Sequence, residues 1–441
     1  MMQDYFRQLV SFLQSQITPS EQFTCWLSAE ETDFVRFNRS AIRQPGHVAQ
    51  IILRVQLLIG RRHASSSVNL CDQMEQDYSA LIETLALLRE QLRDLPEDPH
   101  LLMTTEVRHC SHIQRSSLPP TQDMVNEILE AARGLDMVGI LTTGTQYRGF
   151  ANSQGQQNWF ETHNVNVDWS LFHSGDKAVK SNYAGFEWDT KEFQQKFDAA
   201  RKQLALFALP AISIPPGSYR AYLTPTALNE LLMMLNWAGF SEKSLRTHQS
   251  CLRRLQAKDV SLHTDVYLSE DSLAGLEPVF QSQGFIKPDS IELIRAGELC
   301  GSMISPRTAK EYGIQSNGAN PDESAKSLRM RGGTIPMNEA LQQLGTGIYI
   351  SNLWYLNFSD RTNCRITGMT RFASFWVENG EIKAPLNVMR FDESLFRILG
   401  DDLVALTQET ETIMDDRSYG ERHTGGAILP GVLLKAMRFV L

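Results

Sequence analysis

The sequence predicts an α+β protein of two domains, an N-terminal α+β domain followed by a C-terminal, mainly antiparallel β domain with helices. Three observations carry this. The stretch from Gly345 to Met389 holds three runs rich in β-branched and aromatic residues, Ile348 to Phe358, Cys364 to Val377 and Ile382 to Met389, separated by turn signals at Ser359-Asp360-Arg361-Thr362-Asn363 and Glu378-Asn379-Gly380-Glu381. Asn-Gly between such runs is the strongest short hairpin signal, because both central residues of a type I′ turn need positive φ. An antiparallel meander with a tight hairpin at Asn379-Gly380 is therefore expected. Next, Ala211 to Gly217 contains Pro215-Pro216-Gly217, and paired prolines remove backbone donors and force an extended path. The domain boundary is placed there, giving 1–210, divisible into 1–115 and 116–210, and 211–441. Finally, strand-rich stretches have helices set between them without regular βαβ alternation, which argues for α+β domains with mainly antiparallel sheets.

Taken in order, Met1 to Gln14 reads as an amphipathic helix with Phe6, Leu9, Val10 and Leu13 on one side. Alternation predicts strands over Gln22 to Ser28, Glu31 to Gln44 and Ile51 to Ile59, the last ending at Gly60. From Asn69 to Leu95 the period becomes helical, with Leu81, Leu85, Leu88 and Leu92 in register, until Pro96 and Pro99 stop it. A helix over Asp123 to Arg133, a strand over Met137 to Thr142 and an aromatic strand around Trp159-Phe160 follow, with a turn at Asn152-Ser153-Gln154-Gly155. Asp189 or Thr190 caps the next helix, which presents Phe193, Phe197, Ala200 and Leu204 and ends near Phe207. Past the linker come a strand over Tyr219 to Leu223 and a helix capped by Thr224 with Pro225 in its first turn.

Composition narrows the function classes. The 441 residues are 42% apolar, enough for ordinary cores in two or three domains. The net charge of −9, from 51 acidic and 42 basic residues without a block of either sign, gives no electrostatic footprint for nucleic acid. No stretch has the pattern of a secretory signal and none is long and apolar enough to span a bilayer, so a cytoplasmic protein is expected. Six scattered cysteines, Cys25, Cys71, Cys110, Cys251, Cys300 and Cys364, suit reduced thiols better than a disulfide framework or a Cys-x-x-Cys metal site.

Local candidates for chemistry are sparse. Arg108-His109-Cys110-Ser111-His112 clusters ligand types, but strand neighbours point to opposite faces and no second pair is near, so a polar connector is expected. Ser174-Gly175-Asp176-Lys177 matches Ser-x-x-Lys, yet Gly-Asp reads as a turn rather than the helix start which that chemistry needs. His163, His173, His248 and His263 stand alone. No Gly-rich phosphate loop follows a strand, so no nucleotide cofactor is expected.

Several of these words together resemble one family. Gly345-Thr346-Gly347-Ile348-Tyr349-Ile350, the later Thr367-Gly368, and Phe375-Trp376-Val377-Glu378-Asn379-Gly380-Glu381-Ile382 before Pro385 are similar to the C-terminal domain of the TldD/PmbA (TldE) family, metalloprotease-related proteins once named modulators of DNA gyrase. Phe34-Val35-Arg36-Phe37-Asn38-Arg39-Ser40-Ala41-Ile42 and the Asn152-Ser153 turn resemble the family's N-terminal half, and Gly313 to Asn320 its Gly-x-x-x-Thr-Gly-Asn word. Gln281-Ser282-Gln283-Gly284 keeps a family turn and loses its acidity. The likeness runs from about Phe34 to Leu441 and is densest in the last third.

The resemblance implies where a metal would sit. In the proteolytic branch the helix after the linker carries His-Glu-x-x-x-His, two imidazoles for zinc and a glutamate as general base. Here that helix reads Asn229-Glu230-Leu231-Leu232-Met233-Met234, and the third ligand, a cysteine before a Gly-rich Leu-Pro loop, falls near Arg422-His423. Asn229, Met234 and Arg422 thus stand at the ligand positions and Glu230 is the remnant of the motif; no catalytic residue, metal or other cofactor is assigned. The expected protein is a TldE/PmbA-like non-catalytic subunit, partnered by a TldD-type catalytic subunit or by itself as a dimer, that handles peptide substrate without nucleic acid or membrane. Two further readings are a stand-alone homodimeric peptide-binding scaffold and an active peptidase with a rebuilt site; metal analysis and a pull-down from native extract separate the three.

Overall fold

The computed structural model describes residues 2–104, 106–114 and 116–440, so the expected helix start at Met1 and the last residue of the resemblance, Leu441, lie outside the described residues. Two sheets organise the chain. The first holds β1 (Glu21–Asn38), β2 (Ala41–Ile59), β3 (Arg62–Leu70), β4 (Cys110–Gln114), β5 (Asp136–Asn152), β6 (Gln157–Ser174) and β7 (Lys177–Gly185), in the order β3-β2-β1-β5-β6-β4 with β7 also on β6. Its pairings are antiparallel except that of β4, which runs parallel to β6.

Period-2 alternation gives this sheet two unlike faces. Phe23, Cys25, Leu27 and Ala29 of β1 lie in one apolar cluster with α1 (Met2–Gln16) and α2 (Met74–Gln91). Val165, Val167, Trp169 and Leu171 of β6 lie in another with α3 (Thr121–Ala131) and α4 (Thr190–Leu206). The alternate residues, Ser28, Glu30 and Thr32 of β1 and Asn164 and Asn166 of β6, are buried although polar. This face meets the second half of the chain.

Several expectations need correction here. The strand expected over 22–28 and most of that expected over 31–44 are one strand, β1, which turns at Arg39-Ser40 with φ of 52° and 55°, so that residues 41–44 already open β2. That tight turn lacks glycine, so no turn signal marked it. Ile51–Ile59 is the second half of β2, and β3 occupies residues from which the helical period had been read, so α2 starts at Met74. The supposed polar connector Arg108–His112 runs into β4, whose pairing with β6 supplies the order that its composition did not. Asp189 is the cap of α4, accepting from Lys191 N at 2.8 Å and Glu192 N at 3.0 Å.

The second sheet holds β8 (Gly217–Leu223), β9 (Leu268–Asp271), β10 (Ser290–Arg295), β11 (Glu298–Leu299), β12 (Ser327–Met330), β13 (Gly347–Asp360), β14 (Arg365–Glu378), β15 (Glu381–Pro385), β16 (Arg390–Ser394), β17 (Leu403–Met414) and β18 (Gly426–Phe439). The path is β11-β10-β9-β12-β18-β16-β14-β13-β8, with β15 on β14, β17 on β18 and a further β18–β8 pairing. β12–β18 and β8–β13 are parallel and the rest antiparallel. Asn379 and Gly380, at φ 53° and 80°, make the expected hairpin between β14 and β15. The third run of the meander is not one strand: Pro385, which has no N–H for the ladder, ends β15, and the chain crosses to pair again with the other end of β14 as β16. No helix among the described residues is long and apolar enough to cross a membrane.

Candidate functional site

Between the polar face of the first sheet and the second half of the chain lies a cavity of about 710 Å³. Its floor on one side is α5 (Pro225–Met233). Thr224 fixes the start of that helix by accepting from Ala227 N at 3.2 Å and donating to Ser351 O at 2.7 Å. Ala227, Leu228, Leu231 and Leu232 are fully buried in the C-terminal core, so the opposite face turns Asn229, Glu230 and Met233 to the cavity. Residues four apart share a helix face, and Met233, 46% exposed, is the one that joins Asn229 there. Met234, five positions on, is 4% exposed within the core.

Glu230 sits recessed at the foot of the cavity. Its carboxylate accepts from Leu353 N, and the Asn352 side chain also donates to it. Burial pushes the carboxyl up to about 7, with these two donors and Lys180 only partly opposing it. Opposite stands the pair Asp168–Lys180 at 3.0 Å, brought by β6 and β7. Burial also raises Asp168, whereas Lys180 is raised because Asp168, Asp416 and Glu230 outweigh its desolvation. Glu277, raised by burial, accepts from Thr424 Oγ1 at 2.5 Å, and Arg148 lies 3.9 Å from Glu421.

The segment between β17 and β18 forms the remaining wall. Asp415, Asp416, Glu421 and His423 from it line the cavity, while Arg422 points away into the polar face of the first sheet and donates to Asn164 Oδ1. Burial lowers the Arg422 guanidinium to about 10, and its Nη1 has no hydrogen-bond partner among the described residues.

These groups do not fit the zinc set that the resemblance placed here. An amide is a weak neutral donor, a thioether a soft one, and a guanidinium has no lone pair to give. Met234 and Arg422 do not face the cavity at all. Among the described residues no three His, Cys, Asp or Glu side chains stand grouped to share an ion. What the cavity can do chemically is exchange a proton at Glu230 near neutral pH and hold polar, extended ligands between its carboxylates and cations.

The remaining sequence candidates lie elsewhere. Cys110, its thiol pushed up to about 11 by burial, and His109, bonded to the Gln157 main chain, line a separate hollow with Phe6 and Trp159, and His112 stacks on Phe160. Ser174 and Lys177 pair across the β6–β7 turn, His173 bonds Ser174 Oγ, His163 bonds Ser116, and His263 faces Asp265. Of the expected positions Asn229 and Glu230 meet, joined by His423 but not by Met234 or Arg422, and Arg148, Asp168, Lys180 and Glu277 were not foreseen. Their signal was present in β6, where Asn164, Asn166 and Asp168 alternate with Val165, Val167 and Trp169, but such a pattern reads equally as a solvent face.

Residues 216–440 match the family described as PmbA/TldA metallopeptidase C-terminal domain. The metalloprotease PmbA of Escherichia coli O157:H7 is 26% identical over 133 residues, 30% of this chain and 28% of that protein, so the aligned stretch spans just over a quarter of the relative's length. Among solved structures, a candidate modulator of DNA gyrase from Thermotoga maritima MSB8 superimposes with a TM-score of 0.75 at 12% identity over 100% of both chains. TldE from Thermococcus kodakarensis does so with a TM-score of 0.74 at 14% identity, over 99% of this chain and 100% of that one. At these identities the likeness is one of fold.

Proposed function

We infer that this chain, which belongs to the PmbA/TldD metallopeptidase family, is a non-catalytic subunit of the TldE/PmbA kind, pairing in the cytoplasm with a zinc-bearing TldD-type chain and offering its cavity to peptide. The observation that carries the reading is the cavity face of α5, where Asn229 and Met233 stand one turn apart and Glu230 is engaged by Leu353 N. A family helix that keeps the glutamate without the imidazoles retains a place to receive substrate and lacks the means to activate a water. The fold shared with TldE supports the same assignment. The two sheets are taken as two domains, 1–210 and 211–441, with substrate entering between them.

Gel filtration and elemental analysis test this together. Co-expressed with the TldD-type protein of the same cell, the chain is expected to elute as a pair carrying about one zinc, and alone to carry none. A chain that holds about one zinc by itself and loses it on Glu230→Gln or His423→Ala is an active peptidase instead; one that ignores the TldD-type protein and self-associates is the homodimeric scaffold.

A further inference from the structure

The segment joining β17 to β18 is held to the first sheet by two side-chain bonds, Ser28 to Glu421 and Arg422 to Asn164, and by a row of bonds to its main chain. Gln50 Nε2 donates to Gly420 O at 2.8 Å, and Arg422 N donates to Glu30 Oε1 at 3.2 Å. Gln146 Nε2 and Arg148 Nη2 both donate to Arg422 O, at 2.9 and 3.1 Å. Four side chains from β1, β2 and β5 thus read the main chain of Gly420 and Arg422, two carbonyls and one amide. The receptor is built in advance: Glu30, Gln146 and Arg148 are 5%, 2% and 6% exposed. Gln50 is fixed by a second bond to Glu30 at 2.5 Å, and Gln146 by one from Asn164 at 3.2 Å.

The occupant itself is held by polar groups: Glu421 accepts from Ser28 and Arg422 donates to Asn164, while Tyr419, next to the gripped residues, is 99% exposed and adds no apolar anchor. Arg422 Nη1 is buried without a partner among the described residues, and an unmade bond on a buried cation counts against the bound state. Glu421 and Thr424, on either side of Arg422, already line the cavity.

We propose that the row Glu30, Gln50, Gln146 and Arg148 is a receptor for an extended peptide main chain, and that Gly420–Arg422 occupies it as a self-ligand that an incoming peptide displaces. This rests on the peptide-handling part of the function proposed above, not on pairing with a second chain. Main-chain recognition makes the receptor tolerant of sequence, and the strap keeps it closed until a peptide competes. A fixed tether between the two sheets is the contrary account, and it makes the opposite predictions.

The test uses the full chain and a fluorescein-labelled peptide copied from residues 416–424, Asp-Arg-Ser-Tyr-Gly-Glu-Arg-His-Thr. Replacing residues 417–422 by a Gly-Ser linker of equal length is expected to tighten binding of this peptide at least tenfold over the unaltered chain, by fluorescence polarisation. Gln146→Leu in that background is expected to abolish the gain. Equal binding by both chains, or a gain that survives Gln146→Leu, overturns the proposal. Should the linker variant not fold, hydrogen exchange on the unaltered chain decides: excess peptide is expected to speed exchange at the Arg422 amide, and an unchanged rate sinks the idea. Neither arm needs the TldD-type chain, so a failure here and a failure to pair are told apart.

Discussion

Asp168 and Trp169 are neighbours in β6 and look out from opposite faces of one sheet, each into protein. Trp169 is 1% exposed, packed between Phe193 and Phe197 with both ring centroids at 5.6 Å. Asp168 faces the cavity and Lys180 at 3.0 Å. Burial on the helix side removes apolar surface from water and is the source of stability. On the cavity side it costs desolvation, which ion pairs and hydrogen bonds offset only in part. The comparison teaches that the two faces are buried for different ends, one to hold the sheet and one to present it.

The contrast is sharpest where it can be broken. Trp169→Ala is expected to cost about 3–5 kcal/mol in urea unfolding, the range for deleting a large buried aromatic; a loss below about 1 kcal/mol would remove the distinction between the faces. Glu230→Gln is expected to act in the other direction. Its folded carboxyl, at about 7, lies above the ordinary unfolded value, so the stability it contributes is present at acid pH and lost as pH rises through 7. The glutamine removes that loss and should stabilise the chain by about 3 kcal/mol at pH 8, and by nothing measurable at pH 4. Equal effects at both pH values would show that burial does not govern this carboxyl.

Backbone strain offers a reference effect in the other sheet. Gly380→Val places a β-branched residue at φ 80° and its Cβ within 2.7 Å of the Gln342 side chain. About 1–3 kcal/mol of destabilisation is expected, read as an earlier melt of the C-terminal domain. The smallest change should be Asp168→Asn, below about 1 kcal/mol, because burial already opposes its charge and Lys180 keeps Asp416 and Glu230 nearby. A cost matching that of Trp169→Ala would make the Asp168–Lys180 pair a support of the fold.

Much of this was legible in the residues. The Asn379-Gly380 hairpin, the Thr224-Pro225 helix start and the Phe193, Phe197, Ala200, Leu204 stripe each follow from short-range rules, and each is present. The Arg39-Ser40 turn was hidden because its positive φ values are imposed by the pairing of β1 with β2, not by a glycine. The cavity was hidden for a different reason. Ser28, Arg148 and Asp168 alternate with apolar residues as a wetted face would, and only the docking of a distant part of the chain over them turns that face inward. Asn229 and Glu230 could be found in advance, through their place in a motif. Met233 displaced Met234 as the companion of Asn229 because the helix runs unbroken to Met233, and four residues, not five, complete a face.

The position of β18 in the second sheet bears on how the chain is made. Its ladder partners are β8, β12, β16 and β17, all of which are synthesised before it. The first sheet is complete in sequence by Gly185, and local hairpins build most of it. It can therefore close while translation continues. β8 can take β13 on one edge once Ile350 is made, but its other edge waits for Val432–Leu434 to lie against Ala221–Leu223, on the order of ten seconds or more at about 5–20 residues per second. During that interval a nascent chain carries one finished sheet beside another whose central strand does not yet exist, and one edge of β8 is open to any chaperone that binds unpaired strand edges near the ribosome.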